Sequence, residues 1–201
     1  MTSVSGSSAI ITVAPKETNT SSADYDETLT ISAGSYSASL RLVQSNPSVV
    51  LKTATLSGDN MKAMSNAATG YNTEKSVTVD GLTWTSNGYQ NSDNSDMIQL
   101  RARTNASGVS WIKLPEFSGN IVSIECATTG TSASSASRSA STGVLYFQSG
   151  NTSSETPLVT ATGASTNTST FDLSALSCTT GYITQGSGAG VRIWSITVTY
   201  K

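Results

Sequence analysis

The stretch "KSVTVDGLTWTS", residues 75–86, decides the fold. Val77 and Val79 alternate with Ser76 and Thr78; after Asp80-Gly81, Leu82 and Trp84 alternate with Thr83 and Thr85. Successive side chains of a strand point to opposite faces, so each run has one apolar and one hydroxyl face. Asp-Gly between two such runs supplies the positive φ angles of a tight hairpin turn. Two antiparallel strands are expected here, with Trp84 turned toward a core.

The same pattern recurs downstream. "MIQLRART" (97–104), "VSWIKLP" (109–115), "NIVSIECATT" (120–129), "GVLYFQS" (143–149), "PLVTAT" (157–162), "STFDLS" (169–174), "GYITQG" (181–186) and "VRIWSITVTY" (191–200) all read as strands. Upstream, "AIITVAP" (9–15), "DETLTISAG" (26–34) and "YSASLRLVQS" (36–45) do too, the last two around a short Gly-containing connection. Only "DNMKAMSNAA" (59–68) is helix-like; Asp59 or Asn60 could cap it, and its thin apolar face allows one or two turns. "SNPSVV" (45–50) marks a boundary, because Asn-Pro favours a turn and Pro47 ends strand pairing. The expected protein is all-β: a small N-terminal β segment over 1–46, then a two-sheet sandwich or jelly roll of about ten strands over 47–201.

Composition supports this and excludes several classes of function. The chain has 37 Ser and 30 Thr among 201 residues but only 12% charged residues. Thr suits strands and both residues tolerate turns, so hydroxyls rather than charges wet the outer faces. A net charge of −2 with no basic stripe argues against nucleic acid, which needs clustered Lys and Arg. No apolar run approaches a membrane span. The start "MTSVSGSSAIITV" lacks a basic segment followed by a long apolar one, so no signal peptide is read. Two expectations follow: a mature exported segment, or a protein made in a cytosol that reaches the outside as virion proteins do.

Two resemblances sharpen the expectation. "ETLTISAGSYSASLRLVQS" is similar to the end of small bacterial immunoglobulin-like repeats, with the BACON-type domains of gut-bacterial surface proteins the nearest example. "VTVDGLTWTSNGYQNSD", "MIQLR", "GNIVSIECAT", "VLYFQSGN" and "YITQGSGAGVRIWSITVTY" follow the order of a jelly-roll module found in surface proteins and secreted enzymes of gut bacteria. This second family resembles non-catalytic carbohydrate-binding modules, and both kinds of module also occur in phages of those bacteria. The resemblance implies a non-enzymatic protein of the virion surface, an auxiliary or decoration capsid protein with capsid or other virion proteins as partners. The alternative it implies is a secreted or cell-surface carbohydrate-binding module, with surface glycans as partners.

Histidine is absent, which removes Ser-His-Asp triads, Cys-His pairs and His-based metal sites. Carboxylate pairs remain, from Glu74, Asp80, Asp93, Asp96, Glu116, Glu125, Glu155 and Asp172, but none lies in a catalytic motif. No cofactor is expected. "NSDNSDM" (91–97) could offer oxygens to Ca²⁺, or could simply be a polar hairpin loop that caps its own backbone. Cys126 and Cys178 could form a disulfide; the alternation of Cys126 with Ile124 and Val122 favours a buried free thiol.

The binding candidates come from parity. Trp84 shares a face with Leu82, and Trp194 with Ile196 and Val198, so both are expected in the core. Trp111 instead shares parity with Lys113, opposite Ile112 and Leu114. On "MIQLRART", Gln99 and Arg101 oppose Ile98, Leu100 and Ala102. If those strands are neighbours, Gln99, Arg101, Trp111 and Lys113 form one patch, which Tyr89 in "SNGYQNSD" could extend. An aromatic plane among long polar side chains suits a sugar ring. Exposed Trp and Arg also anchor protein interfaces, and local packing of Trp111 is the third possibility.

Overall fold

The computed structural model describes residues 25–44, 50–64, 73–89, 96–102, 108–130, 140–163, 166–186, 188 and 190–201. The chain divides into two units after Val50. The expected strand over 9–15 and residues 91–95 of the Asn/Asp-rich stretch 91–97 lie outside the described residues.

In the first unit, β1 (Tyr25–Ala33) and β2 (Tyr36–Gln44) form an antiparallel hairpin. Gly34, with φ 60°, takes the first turn position while Ser35 keeps a negative φ, the requirement of a type II′ turn. The register places Leu29 opposite Leu40 on one face and Thr28 opposite Arg41 on the other. Arg41 Nε donates to Asp26 Oδ1 at 2.8 Å, and its second nitrogen also reaches that carboxylate. The guanidinium holds the Asp26 carboxyl below its ordinary pKa.

The second unit is an all-β sandwich. One sheet has six strands in the order β10-β9-β12-β7-β5-β4: Val159–Thr160, Leu145–Gln148, Tyr182–Gln185, Trp111–Lys113, Leu82–Ser86 and Lys75–Val79. The other runs β11-β8-β13-β3, from Thr168–Asp172 through Ile121–Gly130 and Val191–Tyr200 to Lys52–Ser57. There β6 (Ile98–Leu100) pairs with the start of β13, on the side where β3 pairs with its end. The Asp80-Gly81 turn has φ 51° and 79°, positive at both positions as a type I′ turn needs.

Alternation puts Trp84, Ile112, Leu145, Phe147 and Ile183 of one sheet against Leu56, Ile124, Cys126, Phe171 and Ile196 of the other, all fully or almost fully buried. Phe147 and Phe171 meet edge-on at 6.4 Å. Helix α1 (Gly58–Met64) inserts Met61 and Met64 into the same core. Strand β3, "KTATLS", is absent from the sequence-based strand list, because only Ala54 and Leu56 mark its inward face.

Trp194 departs from expectation. Ile193 pairs with Thr128 and Ser195 with Ala127, so Trp194 is the extra residue of a β-bulge. The bulge reverses parity: Val191 and Ile193 face the core before it, Ile196 and Val198 after it, and Trp194 is only half-buried. Both cysteines are free. The backbone oxygen of Cys178 accepts a bond from the Ile121 amide, five residues from Cys126 along an extended strand, or about 16 Å. A disulfide tolerates only about 7 Å between α-carbons. Burial, reinforced by the charge of Glu125, pushes the Cys126 thiol far above its ordinary pKa.

Candidate functional site

Trp111 is the test of the parity argument. It points away from the core, as its alternation with Ile112 requires, yet is only 5% exposed. The expected wet surface is closed because Tyr182, on neighbouring β12, packs edge-on against the indole at 5.5 Å and 85°. The segment after β5 fixes the same strand. Asn87 accepts from the Trp111 amide at 2.7 Å and donates to the Val109 carbonyl at 3.1 Å. Its amide side chain thus stands in for a strand partner.

The four-residue patch does not form on one face. Strand β6 pairs with β13 in the opposite sheet, not with β7. Gln99 lies across from Arg192, whose Nε donates to Gln99 Oε1 at 3.2 Å. Tyr89 and Gln99 exchange backbone bonds of 3.0 and 2.7 Å, so the chain after β5 crosses from one sheet to the other. Arg101 meets the second group through its amide, which donates to Ser110 Oγ. Tyr89, Gln99 and Arg101 therefore share a corner of the sandwich with Trp111, while Trp111 and Lys113 belong to the outer face of the six-stranded sheet.

Register builds that face in two rows. Thr85, Lys113, Tyr182 and Gln148 form one; Trp111, Thr184 and Tyr146 form the next. Lys113 Nζ stands 5.9 Å from the centre of the Tyr182 ring, within the range of cation–π attraction. Gln148, fully buried, accepts from Thr184 Oγ1 at 3.0 Å and donates to the carbonyls of Gly150 and Thr152, folding the following loop over one end. Tyr146 lies against Gly186, where a β-carbon would come within 2.2 Å of the ring. Lys113 is the exposed residue of the two rows, Thr85, Tyr146 and Tyr182 are half-buried, and Trp111 braces Tyr182 from the adjacent row. Alternation of Tyr182 and Thr184 with Ile183 in "GYITQG" was the available signal for this ring.

The acidic candidates are dispersed. Asp80 occupies its turn, Glu125 points outward from β8, and Asp172 accepts from the Ser174 hydroxyl and amide, which lower its pKa. Glu116 accepts from Thr179, and Glu155 from Ser149 at 3.0 Å. Asp96 is half-buried, Glu74 is exposed, and Asp93 lies outside the described residues. Among the described residues no group of three or more His, Cys, Asp or Glu could hold a metal ion. No described helix is long and apolar enough to cross a membrane. Neither a protein-family model nor a curated protein matches the chain.

Proposed function

We propose that this chain is a non-catalytic binding protein of a virion surface, an auxiliary or decoration protein of a capsid, whose sandwich holds glycans on the outer face of its six-stranded sheet. The observation that carries the proposal is the half-buried Tyr182 ring, with the Lys113 ammonium over it at 5.9 Å from its centre and the Trp111 ring centre 5.5 Å away in a T-shaped pair. A sugar ring that displaces the ammonium from the ring face presents C–H groups to that face and hydroxyls to the ammonium. The brace from Trp111 lowers the ordering cost of binding, because the tyrosine is held before the ligand arrives. Outward hydroxyl pairs such as Ser76–Thr85 at 2.8 Å and Thr78–Thr83 at 3.0 Å extend a neutral, hydrogen-bonding exterior along the sheet. The jelly-roll and immunoglobulin-like resemblances add the virion setting. The same tyrosine-lysine pair would serve a carbohydrate-binding module of a bacterial surface equally well.

Location separates the two. Quantitative mass spectrometry of density-purified particles should find the chain at a fixed ratio to the major capsid protein. Recovery only from bacterial envelopes or culture fluid would overturn the virion assignment in favour of the surface module.

A further inference from the structure

We infer that the sandwich has a second ligand site, apart from the sheet face, in a pocket at its open edge that takes a single neutral sugar ring. Among the described strands, β3 and β4 are the edge strands of the two sheets, and both border the same pocket. Helix α1 fills part of the gap between them with Met61 and Met64. Elsewhere along that edge a pocket of ≈ 170 Å³ remains.

Its lining is amphipathic. Ala54, Val79, Leu82 and Tyr200, all partly buried against the core, supply apolar surface, and Trp84 at 1% exposure closes the inner end. The exposed Thr53, Thr55 and Asp80 also line it; the Thr55 hydroxyl turns away from the core to Thr197 at 3.2 Å, which leaves Asp80 as the polar side chain of the lining. A sugar ring has the matching division, with C–H faces and a rim of hydroxyls. Tyr200 is held in place by Phe117, whose ring centre lies 4.5 Å away at a tilt of 36°. Asp80 is held by its turn, whose backbone is fixed in the left-handed region.

Charge selects against anions. Asp80 is the charged residue among those that line the pocket, while Lys52 lies over the Tyr200 ring, its Nζ 5.9 Å from the ring centre, and is not part of the lining. A lining carboxylate with no lining cation disfavours a phosphate and leaves an acceptor for a sugar hydroxyl. Its volume lies below the range of pockets that hold drug-sized ligands, about 300–1,000 Å³. A single ring at the end of a glycan fits that limit; a run of internal sugars does not.

The test is a titration of the ¹⁵N-labelled protein with galactose, mannose, fucose and N-acetylglucosamine, followed by amide and indole shifts. At least one sugar should give saturable shifts at Thr53–Thr55, Val79–Leu82 and the Trp84 indole. Asp80→Asn keeps the turn, since Asn also adopts positive φ, but loses the charged acceptor and should bind about tenfold more weakly. Tyr182→Ala, which disrupts the sheet face, should leave these shifts unchanged. Four sugars without shifts at this edge, or Asp80→Asn binding as the wild type does, would overturn the second site while leaving the sheet-face proposal standing.

Discussion

Trp111→Ala separates a bracing indole from an exposed one. A free surface tryptophan can be removed within about 0.5 kcal/mol. At 5% exposure, with Tyr182 packed against it at 5.5 Å, Trp111 has almost nothing left to lose to solvent. Truncating a buried tryptophan costs about 3–5 kcal/mol, a large part of the 5–15 kcal/mol that holds a domain together. With a urea slope of about 2 kcal/mol/M, the unfolding midpoint should fall by about 2 M. The assay is urea unfolding by circular dichroism and by fluorescence of Trp84 and Trp194, which remain as reporters. Within that loss, a double-mutant cycle with Tyr182→Ala should return a coupling of about 0.5–1.5 kcal/mol for the ring pair. A cost below about 1 kcal/mol, or zero coupling, would refute the bracing role and return the indole to solvent.

Other consequences are equally direct. Asn87→Ala leaves the Trp111 amide and the Val109 carbonyl without their partner, at about 2–4 kcal/mol; hydrogen exchange at the Trp111 amide should accelerate, and unchanged protection would show that Asn87 is no clamp. A thiol reagent should label Cys178, which is partly accessible, well before Cys126, which should react only on unfolding; equal rates would contradict the core placement of Cys126. Asp26 has a folded pKa below its ordinary 3.8, so the Arg41 pair contributes above that value and is lost as pH falls through the depressed one. Carboxyl titration by NMR should show the Asp26 pKa rising in Arg41→Gln, and no rise would remove the ion pair as its cause.

Parity made much of this fold legible, and its failures have physical reasons. The Asp-Gly hairpin, the inward Trp84 and the alternation of Ile124 with Cys126 follow from a period of two alone. Trp194 misled because a bulge resets that period, and the clue was the spacing of Ile193 and Ile196, three apart where strict alternation needs two or four. Strand β3 escaped notice because Thr, Ala and Ser carry little contrast between faces. Gln99 and Trp111 were grouped by similar parity on consecutive strands, but adjacency in sequence is not adjacency in a sheet. Only the pairing of β6 with β13 decides that. Parity sets the direction of Trp111, but the choice among glycan contact, protein interface and local packing depends on Tyr182, a residue 71 positions away that no local pattern could bring beside it.

A glycan array probed with the wild type and with a Lys113→Ala, Tyr182→Ala double variant tests the central claim most directly. The wild type should bind a defined set of glycans, and the variant should lose those members of the set that Asp80→Asn still binds, while its circular dichroism is retained. An array with no bound glycan, or one on which the two proteins bind alike, would contradict the assignment of the sheet face as the binding surface.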